Sequence, residues 1–136
     1  MSKKYRPIVI VAGEPKSTFL EIFLKTLKKK KIKSPLILIC SFDLLKKEIN
    51  RSKFKKKIRI LNLKNLKNVL LNNNYLNLID IDFNNKENSK SNYISKSFNV
   101  AFKLLEKKFT NKFINGPINK SKFLNKKFLG VTEFIS

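Results

Sequence analysis

Two short stretches late in the chain combine residue types suited to holding an anion. Gly116-Pro117-Ile118-Asn119-Lys120 is a turn signal that delivers an amide and an ammonium group, and about ten residues later comes Gly130-Val131-Thr132-Glu133-Phe134. Lys120 offers a compact positive charge, and Asn119 both donates and accepts. Thr132 offers a hydroxyl and, if it opens a helix, lies beside free backbone N–H groups. Together these suit a carboxylate or a phosphate. Each residue also has a plain structural role. Thr132 can be a helix N-cap with Glu133 as a first-turn acid, and Lys120 a solvated lysine on a helix face. Glu14, in the turn Gly13-Glu14-Pro15, could be an acid near the site, though a loop carboxylate is the commoner explanation, and Glu21 could cap its helix or pair with a lysine on it. The chain contains no histidine, which removes the commonest metal ligand and the commonest general base at neutral pH. Its one cysteine, Cys40, ends the apolar run Leu36-Ile37-Leu38-Ile39-Cys40 and reads as a small core residue rather than a nucleophile.

These residues need a scaffold, and the hydrophobic pattern describes one. Ile8-Val9-Ile10-Val11-Ala12 is a β-branched run expected as a strand buried on both faces. Ser17 or Thr18 can then cap a helix whose apolar face is Phe19, Leu20, Phe23, Leu24 and Leu27, closed by the lysine run 28–31. The pattern repeats. Leu36 to Cys40 predicts a second strand, Ser41 caps a helix carrying Leu44, Leu45 and Ile49, and Ile58, Ile60 and Leu61 mark a third strand. Residues 62–77 are ambiguous. Leu63, Leu66, Leu70 and Leu71 fit a helical face, while the many asparagines lower helix propensity. Leu76, Leu78, Ile79 and Ile81 suggest a further strand, and residues 84–92 a polar loop. A helix is expected over 92–109, with the stripe Ile94, Phe98, Ala101, Phe102, Leu105 and Phe109, and then a short strand at Phe113-Ile114. Strands alternating with amphipathic helices predict an α/β fold, a mostly parallel sheet with helices on both faces and right-handed crossovers. The expectation is one domain over residues 1–136. In such a sheet ligands gather beyond the carboxyl ends of the strands, where the Gly13 and Gly116 turns fall.

Composition bounds the partners. The formal net charge is +22, from 31 Lys+Arg against 9 Asp+Glu. A field of that sign attracts nucleic acid, anionic lipid and phosphorylated metabolites. The residues in excess, Lys, Asn, Ile and Phe, are also those of A/T-rich codons, and that compositional bias is the favoured explanation of the charge. The basic residues are almost all lysine, with Arg6, Arg51 and Arg59 the exceptions, and no zinc-ligand spacing or basic-aromatic RNA-binding run accompanies them. Nucleic acid is accordingly not an expected partner, except through non-specific, salt-dependent attraction. No apolar run approaches the roughly 18 residues of a membrane span, and no signal-peptide cleavage site follows the basic start. A cytoplasmic location and no membrane partner are expected.

The two late stretches also carry a resemblance. Gly116-Pro117-Ile118-Asn119-Lys120 followed by Gly130-Val131-Thr132-Glu133-Phe134 resembles the Gly-Pro-Ile/Val-Asn-Lys and Gly-His-Thr-Glu-Phe motifs of the 4-hydroxythreonine-4-phosphate dehydrogenase family. The first turn is similar to that family's Gly-Asp-Pro-Ala-Gly-Ile-Gly-Pro-Glu, with Gly13, Pro15 and Glu21 matching. The departures are Ser17 and Phe19 in place of two glycines, and Val131 in place of a substrate-contacting histidine. The resemblance implies the amino-terminal portion of an isopropylmalate-dehydrogenase-like fold within a longer family fold. It implies an NAD- or NADP-dependent oxidoreductase of pyridoxal phosphate (vitamin B6) synthesis, in which 4-phosphooxy-threonine is oxidised with a divalent metal and then decarboxylated. It further implies a homodimer, a phosphorylated amino-acid substrate, and substrate contacts from Thr132, Lys120 and Asn119. The family's three metal-binding histidines and most of its nicotinamide site have no counterpart in this sequence. The chain alone is therefore expected to bind neither cofactor nor metal and to be incomplete for catalysis.

Overall fold

A computed structural model describes residues 6–84, 89–110 and 112–116. Five strands form one sheet: β1 (Ile8–Val11), β2 (Leu36–Cys40), β3 (Ile58–Ile60), β4 (Leu76–Asp80) and β5 (Lys112–Asn115). Three helices connect them: α1 (Phe19–Lys29), α2 (Phe42–Ser52) and α3 (Ser89–Glu106). The strand order is β3-β4-β2-β1-β5, and every pairing is parallel. The expected α/β class is therefore the observed one.

The order explains the layers. The crossovers through α1 and α2 step toward the β3 edge, and these two helices pack on each other. The crossover through α3 steps back toward the β5 edge, and α3 lies against β1 and β2. Right-handed crossovers in opposite directions put α3 on the face opposite α1 and α2. The middle strand β2 shows the consequence, since all five of its residues are buried. A strand covered on both faces must be apolar throughout, as Leu-Ile-Leu-Ile-Cys is. Each such side chain contributes about 1.5–3 kcal/mol by leaving water.

Local chemistry sets the helix ends. Ser41 caps α2, its hydroxyl accepting from the Leu44 N–H at 3.4 Å, and Lys53 closes that helix in the left-handed conformation. Thr18 is the residue before α1, but its side chain makes no capping bond; the neighbouring Ser17 hydroxyl accepts from the Phe19 N–H at 3.3 Å instead. The third helix begins at Ser89, three residues before its expected start. Its buried side is Tyr93, Ile94, Ser97, Phe98, Ala101 and Leu104, so the expected stripe is right at Ile94, Phe98 and Ala101. Leu105 and Phe109 are only half-buried.

Residues 62–77 resolve into one 3₁₀ turn, Leu66–Asn68, within an irregular connection. Leu66 is buried while Leu70 is 82% exposed, so the four leucines share no helical face. The asparagines are what organise this stretch. The Asn73 amide donates to the carbonyls of Ile32 and Ser34 and accepts from the Leu36 N–H, tying the loop to the entry of β2. Asn77, buried within β4, donates to the carbonyls of Leu36 and Asn72 and accepts from the Arg59 guanidinium.

Candidate functional site at the carboxyl rim of the sheet

With all strands parallel, the turns leaving β1, β2, β4 and β5 share one rim. The β2–β4 part of that rim is closed by the protein itself. The Ser41 N–H donates to the Tyr93 hydroxyl at 3.0 Å, and the Phe42 N–H donates to Asp80 Oδ1 at 2.8 Å. Together with the Ser41 cap, these bonds occupy the amino end of α2, which would otherwise attract an anion. Cys40 sits beneath, fully buried, and its burial, with the Asp80 charge adding, pushes the thiol far above its ordinary range. A thiol held protonated is no nucleophile, in keeping with the core role expected for it.

The β1–β5 part of the rim is built differently. Strand β1 ends at Val11, and Gly13 turns the chain at φ 83°, where a side chain would be strained. Strand β5 runs alongside, with Val11 opposite Asn115, and the Gly116 N–H donates to the Val11 carbonyl at 2.7 Å. Gly116 is pressed against the first turn. A Cβ there would lie 2.1 Å from the Ala12 carbonyl oxygen and 2.9 Å from Cδ1 of Phe19. Gly116 thus lies next to the first turn and the start of α1. That start lacks a side-chain cap on Thr18.

Two charged groups frame this corner. Glu14 lies 3.1 Å from Lys90 Nζ at the beginning of α3, joining the β1 turn to the opposite layer. Glu21 faces away from the corner. Arg51 at 2.7 Å and Lys25 at 3.0 Å hold its carboxyl below the usual range, so it has the ion-pairing role expected of it. Phe19, where the resembling family has glycine, lies against Gly116 and stacks on Phe23 with ring centroids 6.2 Å apart.

Asn119, Lys120 and Thr132, with Pro117, Val131 and Glu133, lie outside the described residues. Sequence reasoning singled out neither Asp80, Tyr93 nor Lys90. Asp80 could have been found from its place at the carboxyl end of a strand. Tyr93 and Lys90 leave no local signal, because their partners are 52 and 76 residues away in sequence.

No protein-family model matches the chain, and no curated protein matches it. Solved structures do. A 4-hydroxythreonine-4-phosphate dehydrogenase from Burkholderia phymatum superposes with TM-score 0.78 at 14% identity, over 98% of this chain and 43% of that one. One from Klebsiella pneumoniae gives 0.75 at 16% identity, over 94% of this chain and 42% of that one. The fold is one shared with 4-hydroxythreonine-4-phosphate dehydrogenases. At these identities the likeness is one of fold, and the chain spans less than half the length of these dehydrogenases.

Among the described residues no group of three or more His, Cys, Asp or Glu could hold a metal ion. The described residues therefore do not supply the donor set of a divalent metal. No helix among them is long and apolar enough to cross a membrane.

Proposed function

We propose that this chain supplies the substrate-holding part of a 4-phosphooxy-threonine dehydrogenase, with the hydride acceptor and metal ligands provided outside its sequence. The observation that carries the proposal is the close packing of Gly116 on Ala12, beside the Gly13 turn and the amino end of α1; Asn119 and Lys120 follow Gly116 in sequence by three and four residues. In this reading Lys120 faces the substrate phosphate as a point charge. Thr132 donates its hydroxyl to the same anion or to the substrate carboxylate, and Asn119 fixes orientation by donating and accepting. A helix amino terminus nearby adds partial positive charge. These groups bind and orient; none removes a proton or accepts a hydride. In the cell the chain would work in the cytoplasm, as part of a homodimeric, NAD- or NADP-linked assembly.

Calorimetry with 4-phosphooxy-threonine tests this directly. The chain binds the compound, Lys120→Met and Thr132→Val each weaken binding about tenfold, a loss of roughly 1.4 kcal/mol, and no reduced nicotinamide accumulates at 340 nm. Absence of binding heat, or turnover by this chain alone, refutes the proposal. Val131, standing where the family has histidine, favours a second reading: a non-catalytic relative that only binds a phosphorylated metabolite. Adding a histidine-bearing carboxyl-terminal half separates the two, because oxidation is restored under the first and stays absent under the second.

A further inference from the structure

Among the described residues the lysines are not spread evenly over the fold. In a parallel sheet every helix ends, and every following strand begins, at the rim opposite the one described above. The connection from α1 to β2 carries the lysine run 28–31 and then Lys33. The connection from α2 to β3 carries Lys53 and the run 55–57, and Lys107 and Lys108 follow α3. All of these are exposed. The acids nearest them among the described residues are Glu106 and Glu48, the latter bound to Arg51 in the last turn of α2, whereas Glu14, Asp43, Asp80 and Asp82 collect at the carboxyl rim. The described residues leaving β1, β2 and β4 at that rim, through the first turn of the helix that follows, include two lysines, Lys16 and Lys90, the second paired with Glu14.

Helix dipoles account for part of this, since a cation in the last turn is favoured by about 0.3–1 kcal/mol. They do not account for lysines that continue past the helix ends, where the effect has faded and like charges repel. Codon bias explains how many lysines there are, not why one rim holds them. An aromatic group stands among them. Tyr75, just before β4, is 40% exposed, and the Arg59 guanidinium stacks 4.5 Å from its ring centroid. The Leu76 N–H donates to the Lys57 carbonyl, and Lys56 Nζ donates to the Asn73 carbonyl, so the lysine loop is pinned beside the ring. A shallow indentation opens there, lined in part by Phe23, Leu27, Lys56 and Asn73.

We infer that the amino rim of the sheet is a docking surface for single-stranded nucleic acid, with the lysine loops along the phosphates and Tyr75 beneath a base. Five strands about 4.8 Å apart make the rim about 19 Å wide, enough for a handful of nucleotides. Lysines without an arginine cluster imply contact with the backbone rather than reading of bases. A membrane surface fits less well. Of the exposed aliphatic side chains, Ile22, Ile60 and Ile114 belong to the first turn of α1 or to the later part of a strand, toward the other rim, which leaves Leu70, whose carbonyl accepts from Arg59, as a lone strongly exposed one near Tyr75.

Fluorescence anisotropy with labelled oligo(dT) of 20 nucleotides, in 50 to 200 mM salt, tests the inference. Affinity falls with salt at a log–log slope of about −0.7 for each phosphate engaged. The triple variant Lys30→Glu, Lys31→Glu and Lys55→Glu weakens binding at least tenfold. A control with the same change of net charge on other exposed faces, Lys47→Glu, Lys64→Glu and Lys96→Glu, stays within about twofold. Tyr75→Leu weakens oligo(dT) binding about tenfold but leaves heparin binding unchanged, as expected of a stacking contact. Circular dichroism confirms that each variant is folded. Equal losses in the two triple variants overturn the inference, because binding then follows total charge. So does tighter binding to phosphatidylserine vesicles or polyglutamate than to the oligonucleotide.

Discussion

Gly116→Ala is the sharpest test of how the carboxyl rim is put together. The added methyl would sit 2.1 Å from the Ala12 carbonyl oxygen and 2.9 Å from both the Ala12 carbonyl carbon and Cδ1 of Phe19. Carbon-to-oxygen contacts settle near 3.3 Å, so β1 and β5 must separate by about 1.2 Å at this point. That movement breaks the 2.7 Å bond from the Gly116 N–H to the Val11 carbonyl in a buried position. Overpacking costs about 1–3 kcal/mol, and a stranded buried N–H costs about another 1–3 kcal/mol. The expected loss is about 2–6 kcal/mol, a large share of the 5–15 kcal/mol that stabilises an ordinary domain. In a chain of this size it lowers the melting temperature by about 8–24 °C. Urea unfolding followed by circular dichroism reads it. Adding Phe19→Leu discriminates the cause. If the Ala12 backbone is the obstacle, the double variant stays as unstable as Gly116→Ala; if the ring is, stability returns. A loss under about 1 kcal/mol, or rescue by Phe19→Leu, refutes the reasoning.

Two other outcomes follow from buried polar groups. Asn73→Ala removes bonds to three backbone groups of the 32–36 segment and costs about 2–4 kcal/mol, read as a shift of the urea midpoint and faster amide exchange at Leu36; an unshifted midpoint counts against an organising role for the asparagines. The alkaline limb of stability is set by Cys40 and Tyr93, both pushed up chiefly by burial from ordinary values of 9.0 and 10.0. Their contribution is complete below about pH 9. It is lost as pH rises further, because the unfolded chain releases these protons first and so binds fewer, and each group approaches about 1.4 kcal/mol per pH unit. Cys40→Ala moves the onset toward pH 10, and constant stability from pH 8 to 11 for the unaltered chain contradicts the assignment.

The parts of the fold legible in the sequence are those where one periodicity had no competitor. Strand β2 is apolar at every position because both faces are covered, and the run Leu36 to Cys40 declares it with its boundaries. The Ser41 cap was legible because capping is local, two residue types meeting across three positions. What stayed hidden depends on distant partners. The asparagines of 62–77 read as helix-weakening residues, yet Asn73 bonds to atoms 37 to 41 residues earlier, which no window of the sequence contains. The third helix was misplaced for a related reason. Tyr93 and Ser97 are polar enough to look exposed, but the Tyr93 hydroxyl is buried on the Ser41 N–H and the Ser97 hydroxyl on the Tyr93 carbonyl. At the candidate site, Gly13 and Gly116 were read as turn glycines, and only the parallel pairing of β1 with β5 reveals that Gly116 is required by close approach.

That distinction bears on what can vary at the rim. Gly13 is fixed by its own backbone angle, so the first turn tolerates changes in its following side chains, as Ser17 and Phe19 illustrate. Gly116 is fixed by what it touches, and Phe19 is one of those atoms. Replacing a glycine by phenylalanine at the start of α1 therefore does more than stiffen a helix entry. It fills the corner between the two turns with an aromatic ring stacked on Phe23, giving apolar packing where a backbone could otherwise approach a ligand. A phosphate or carboxylate must then be met by side chains reaching over the ring rather than by α1's first N–H groups alone. Under the proposed function this puts more of the binding on the ammonium of Lys120 and the hydroxyl of Thr132. It is why their substitution, rather than any change in the first turn, is the decisive test of the proposed role.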